Sequence, residues 1–221
     1  MICEKYANET INKILNIDCL EHMKKIPDNF YDLVLTDPPY GLDLANMNMG
    51  IGNTPKASKS YNRKWENKDW DKGTPSDEIF KEIYRVSKHQ IIWGGNYFDL
   101  KPCKFYIIWD KEIPNGLSFA DCEMAWTSFD KAPRIFRYSA YLDKKGKVHP
   151  TQKPLKLFDY CIRKAIHEDE TIKTVYDPFA GSGTTLVVAK SLGLDYIGSE
   201  LDKDYYEIIL KRLSAVQGSL F

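Results

Sequence analysis

The sequence predicts an α/β fold, a mostly parallel sheet with helices on both faces. Three observations carry that expectation. Short runs rich in Ile, Leu and Val alternate with longer amphipathic runs along nearly the whole chain. Two strand-like runs, "YDLVLTDPPY" and "TVYDPFAGSGTT", end on an acid followed by proline, and the second passes through a glycine turn into a helical run. At 221 residues and 43% hydrophobic content, the chain can fill one core and reads as one domain, residues 1–221.

The elements follow in order. "KILNIDCL" and "YDLVLTD" read as strands, with the more polar "LEHMKKIPDN" between them at helical spacing. "SDEIFKEIYRVSK" opens on a candidate N-cap, Ser76, and sets Ile79, Ile83 and Val86 on one helical face. "QIIWGGNYF", "KFYIIWDK" and "CEMAWTSFD" are β-rich. "KPLKLFDYCIRKAIHE" is a helix starting near Pro154, "TVYDPFAG" a strand, "GSGTTLVVAKSLG" a helix, "DYIGSELD" a strand and "KDYYEIILKRL" a closing helix.

Composition excludes some classes. Lys plus Arg and Asp plus Glu are 31 each, so any case for a polyanionic partner must be local. Cys3, Cys19, Cys103, Cys122 and Cys161 are odd in number and never form a CxxC pair, which argues against a disulfide framework and a zinc ribbon. The four histidines are too scattered for a metal site, and no metal is expected. No stretch approaches membrane-spanning length, and the expectation is a soluble, cytoplasmic protein with no membrane partner.

Two segments do not fit as core. Residues 41–75, rich in Gly, Asn, Ser and Lys, would form a loop far longer than usual, of a kind that is functional or disordered. Residues 131–156 hold eight lysines and arginines against one acid, Asp143, a local net charge of +7. A solvated surface is the plain reading; interleaved Phe136, Tyr138 and Tyr141 tilt it towards nucleic acid, since aromatics stack bases while cations meet phosphates.

The sharpest signal is "VYDPFAGSGTTLVVAKSLGLDYIGSELD". A strand ends at Asp177, Gly181 and Gly183 let backbone approach a ligand, and a helix then starts at its positive end. Nineteen residues past Gly181, Glu200 closes the next strand, placed to accept hydrogen bonds from ribose hydroxyls. No Lys follows the glycines, as a P-loop needs, and Leu186 replaces the third glycine of a dinucleotide fingerprint. The combination indicates a nucleoside-bearing ligand without pyrophosphate.

"DPPY" answers to a different chemistry. Each proline locks φ and lacks an N–H, so Asp37 and the Pro38 carbonyl become two fixed acceptors at a strand's end. An exocyclic amino group offers two N–H donors, and holding both favours pyramidalisation and frees the nitrogen lone pair. Tyr40 could stack on the base, which requires the base to leave the duplex.

"DPPY" at 37–40 with "DPFAGSGTT" at 177–185 resembles the amino-group DNA methyltransferases that use S-adenosyl-L-methionine. Their order resembles the β class, a circular permutation of the Rossmann-like methyltransferase sheet with the catalytic motif before the cofactor motif. "NIDCLEHMKKIPDNFYDLVLTDPPY" and "VHPTQKPLKLFDYCI" resemble two further stretches of that class, so the similarity spans almost everything outside 41–75. The resemblance implies that Asp37, Pro38 and Tyr40 form the catalytic corner, shaped by Pro39. It places Asp177, Phe179, Gly181 and Gly183 by the methionine part of the cofactor, Glu200 on the ribose, Asp18 on the adenine, and Thr151 and Lys153 near the methionine carboxylate. It further implies direct transfer of the methyl group to the target nitrogen, without a covalent enzyme intermediate.

Larger members insert a recognition region where this chain has about twenty residues. Target choice in double-stranded DNA is therefore expected from segment 131–149, with Arg134, Arg137, Lys144 and Lys145, and from the loop after Tyr40, with Arg63 and Lys64. "IIWGGNYF" either lines the target pocket with Trp93, Asn96 and Tyr97 or uses its glycines for backbone packing. Cys19 and Cys122 read as core or wall, and Trp109 and Trp126 as core. The aspartate form of the corner favours adenine N6 over cytosine N4. An inactive nucleic-acid-binding protein of the same fold is the alternative from another class. A homodimer is plausible for the class, whereas a cognate restriction endonuclease and the target sequence are not legible in the chain.

Overall fold

A computed structural model describes residues 2–42, 73–113, 120–139, 142, 148 and 152–216. The chain opens with α1 (Ile2–Glu9), β1 (Lys13–Leu15), α2 (Cys19–Met23) and β2 (Tyr31–Thr36). Next come α3 (Asp77–Val86), β3 (Ser87–Trp93), β4 (Tyr106–Asp110), β5 (Cys122–Thr127) and β6 (Arg134–Arg137). It closes with α4 (Leu155–Glu168), β7 (Thr174–Asp177), α5 (Thr184–Ser191), β8 (Asp195–Ser199) and α6 (Lys203–Ser214).

The eight strands form one sheet in the order β1-β8-β7-β2-β3-β5-β4-β6. Neighbours run parallel except at β5, which is antiparallel to both β3 and β4. β2 is buried along its whole length, which is why its sequence is a continuous apolar run rather than an alternating one. Its alternate residues still face opposite layers: Leu33 and Leu35 pack with Leu157, Ile162 and Val187 from α4 and α5, and Val34 packs with Met23 and Ile83 from α2 and α3. Helices thus cover both faces, as the alternation of runs implied.

Two elements were not legible beforehand. α1 is one, eight residues with charge interleaved among its apolar positions. The other is β6, which turns part of the basic segment into an edge strand paired with β4; arginines at both of its ends mask the apolar pair Ile135–Phe136. Ser76 stands at the N-cap of α3 as expected, but its side chain makes no capping hydrogen bond.

The sheet order fixes where chemistry can occur. β2 and β7 are far apart in sequence yet adjacent, and the chain winds outward from them in opposite directions. The carboxyl ends of two such strands open a crevice in which ligands of α/β sheets bind.

Candidate active site

Asp177 ends β7 and Asp37 follows β2, so both acids reach that crevice. Thr36 donates its hydroxyl to Asp177 Oδ1 at 2.7 Å, Thr185 donates to Oδ2 at 2.6 Å, and the Phe179 N–H donates to Oδ1 at 3.0 Å. Asp177 therefore ties both strands to the glycine turn. Its burial pushes the carboxyl up to about 6.

The turn itself needs its glycines. Gly181 and Gly183 have φ of 52° and 76°, and a Cβ on Gly183 would lie 2.9 Å from Ile209 of α6. From the same helix, Arg212 donates to the Ser182 carbonyl. Glu200, just past β8, accepts the Gly181 N–H on Oε2 at 2.7 Å and the Asp202 N–H on Oε1 at 2.8 Å. Burial raises this carboxyl to about 7 despite those two bonds. A cavity of about 220 Å³ results, with Asp18, Phe179, Gly181, Glu200, Asp37 and Lys153 in its wall.

Around Asp37 the polar contacts are dense. Tyr40 donates its hydroxyl to Asp37 Oδ1 at 2.5 Å, and the Lys153 ammonium donates to Oδ2 at 2.6 Å. The same ammonium lies 3.0 Å from Glu123 Oε2, and Lys111 lies 2.9 Å from Glu123 Oε1. Burial raises the Asp37 carboxyl, opposed by Lys153, whereas Glu123, between two lysines, falls to about 2. The ring of Tyr40 stacks on Tyr97, centroids 4.8 Å apart and planes within 12°, and meets Phe98 edge-on.

Residues 93–211, just over half of the chain, match the N6_N4_Mtase family model, described as DNA methylase. The chain belongs to that family. Its members here are amino-methyltransferases of the N6-adenine/N4-cytosine class. Type II methyltransferase M2.DpnII of Streptococcus pneumoniae is 25% identical over 97% of this chain and 94% of its own length. Among solved structures, the M1.HpyAVI–SAM complex aligns with a TM-score of 0.55 at 23% identity, covering 91% of this chain and 99% of that one. The cytosine-N4-specific PvuII DNA methyltransferase aligns with a TM-score of 0.59 at 17% identity, over 93% and 88% of the two chains. Both likenesses establish the Rossmann-like methyltransferase sheet.

With the family shown, the cofactor is S-adenosylmethionine. The donor set of this methylase fits it. Each Glu200 oxygen uses one lone pair on backbone and keeps another for a ribose hydroxyl. The glycine turn presents backbone without a Cβ, and Asp37 and Asp177 in the cavity wall suit a ligand that carries positive charge.

The tertiary structure also shows where those predicted residues that it describes are placed. Asp18 lines the cavity, and its Oδ1 caps α2 by accepting from Leu20 and Glu21. Lys153 lines it too, but its hydrogen bonds go to Asp37 and Tyr40, with Glu123 beside it. Trp93 is fully buried and stacks towards Phe158, while Asn96 and Tyr97 are exposed. Trp109 and Trp126 are core; Cys19 lines the cavity, but Cys122 is exposed and is neither core nor wall. Arg134 and Arg137 are exposed on β6, with Arg137 3.4 Å from Asp110. Thr151, Arg63, Lys64, Lys144 and Lys145 lie outside the described residues. No cluster able to hold a metal and no helix long and apolar enough to cross a membrane occurs among the described residues.

Sequence reasoning passed over Glu123, Lys111 and Arg212. Only Glu123 carried a signal, as an acid inside an otherwise apolar strand-like run.

Proposed function

We propose that this chain, as one catalytic domain, transfers a methyl group from S-adenosylmethionine to the N6 amino group of adenine in duplex DNA, acting on a base swung out of the helix. One observation carries the reading: the Asp37 carboxylate lies in the wall of the cavity that also holds Gly181 and Glu200. Methyl acceptor and methyl donor sites are thereby contiguous, and proximity with alignment supplies much of the acceleration.

Bound S-adenosylmethionine supplies a methyl group on positively charged sulfur, which departs as a neutral sulfide without needing an acid. The protein's part is orientation. Asp37 and the Pro38 carbonyl hold the two N–H bonds of the target amine, and Tyr40 supports the base face. As the nitrogen gains its bond to the methyl carbon and the carbon–sulfur bond breaks, positive charge passes to nitrogen. The nitrogen would then shed one proton, for which the Asp37 carboxylate of the corner is the assigned acceptor. Aspartate in the first position of the corner supports adenine N6, and the Type II relatives support a site-specific, restriction–modification context. Arg134 and Arg137, with the basic residues around them, are assigned to the DNA backbone.

The test is transfer from labelled S-adenosylmethionine to mixed-sequence duplex DNA, with Asp37→Ala as control and nucleoside mass spectrometry as readout. N6-methyladenine that disappears in the control is the expected result. N4-methylcytosine would keep the mechanism and overturn the base. No modified nucleoside, with cofactor still bound, would overturn the reading in favour of an inactive binding protein.

A further inference from the structure

The site contains a charge relay that direct methyl transfer does not itself require. Lys153 is only 6% exposed. Its ammonium donates to Asp37 Oδ2 at 2.6 Å and to Tyr40 Oη at 3.3 Å, and forms an ion pair with Glu123 Oε2 at 3.0 Å without hydrogen-bond geometry. The far oxygen of Glu123 is held by Lys111 at 2.9 Å, itself 14% exposed. Four charges of alternating sign, Lys111, Glu123, Lys153 and Asp37, thus run inward from the end of β4 through the start of β5 to the catalytic corner. Such a row is costly to assemble away from water, and each member is needed to offset its neighbours.

We propose that Glu123 and Lys111 are positioning residues for methyl transfer: acting through Lys153, they fix the direction of the Asp37 carboxylate and set the pH above which it is ionised. The inference rests on the proposed methyltransferase reading and extends it to residues outside the "DPPY" corner. The charged and titratable groups facing Asp37 are Lys153 from the segment before α4, Tyr40 in its own corner, Glu123 from β5 and Asp177 from β7. Lysine favours the ionised carboxylate and the two acids oppose it, so Glu123 and Lys111 act on Asp37 with opposite sign. Removing the Glu123 charge leaves Lys153 to Asp37 alone and makes Asp37 easier to ionise. Removing Lys111 leaves the Glu123 charge less compensated and makes Asp37 harder to ionise.

The experiment is the single-turnover rate of methyl transfer to duplex DNA at saturating cofactor, from about pH 5 to about pH 9. Glu123→Gln keeps the shape and should move the acid limb down by about one pH unit, whereas Lys111→Met should move it up. Saturating cofactor keeps Glu200 out of the profile. The carboxyl carbon resonance of Asp37, followed by NMR in the protein without DNA, should move in the same two directions, and it remains readable if either variant turns over poorly. Limbs and resonance that stay put, or that move the same way in both variants, overturn the inference while leaving the methyltransferase reading intact. A wild-type protein with no transfer to DNA at any pH overturns that reading, and this inference with it.

Discussion

A Cβ built on Gly94 would fall 2.1 Å from Cε1 of Tyr40, so the tyrosine of the proposed catalytic corner occupies space that only glycine leaves open. Gly94 also has φ of 70°, which disfavours any side chain. The Tyr40 ring thereby packs against the backbone after β3 and also stacks on the ring of Tyr97. Gly94→Ala should displace Tyr40 and lower the single-turnover methylation rate by at least about a hundredfold. Cofactor affinity, measured by calorimetry, should change little, because Gly94 is not part of the cavity wall. An unchanged rate would show that the seat of Tyr40 is not needed.

Tyr97 is 44% exposed and covers Tyr40 by stacking alone. Tyr97→Ala should cost little stability, on the order of 1 kcal/mol as read by denaturant unfolding, because an aromatic pair contributes about 0.5–1.5 kcal/mol. It should weaken the fluorescence rise of 2-aminopurine placed at the target base. A wild-type fluorescence signal would assign Tyr97 to packing only.

The raised carboxyls of Glu200 and Asp177 predict a pH dependence for the proposed cofactor site. Their folded values, about 7 and about 6, lie above those of free carboxyls. The stability they contribute is fully present below the unfolded values near 4 and is lost as pH rises through the folded ones. The cofactor-free protein should therefore melt at a lower temperature at pH 8 than at pH 5, by several degrees. If Glu200 takes the proposed place on the ribose, cofactor affinity should run the other way, rising with pH up to about 7, because the ionised carboxylate accepts from both hydroxyls. Glu200→Ala should remove most of that slope. Titrations at three pH values decide it.

Gly183→Ala introduces a Cβ 2.9 Å from two carbons of Ile209 at a φ of 76°. The expected cost is about 1–3 kcal/mol of stability, together with weaker cofactor binding as the turn shifts. Thermal melts with and without cofactor separate the two effects. A variant that melts as wild type and binds normally would mean that α6 yields without disturbing the turn.

Reversing charge at Arg134 and Arg137 together should weaken DNA binding and flatten its dependence on salt by about two counterions. Fluorescence anisotropy across a salt series measures both. Unchanged affinity and slope would remove β6 from the DNA surface.

The local grammar of this protein was in its sequence: apolar runs bounded by prolines and glycines, an acid at the end of each of two strands, and a second acid spaced from the glycine turn. Those features depend on residues close together in the chain, where φ restriction and side-chain periodicity act directly. Three things were decided only by tertiary structure. Strand order placed β2 beside β7 and turned β5 over between β3 and β4, through pairings between distant segments. Edge pairing with β4 made a strand of Arg134–Arg137, whose composition reads as solvated surface. Burial gave Lys153 its partners Asp37 and Glu123, because an ammonium removed from water must find carboxylates wherever the fold supplies them, and one came from β5, outside either motif.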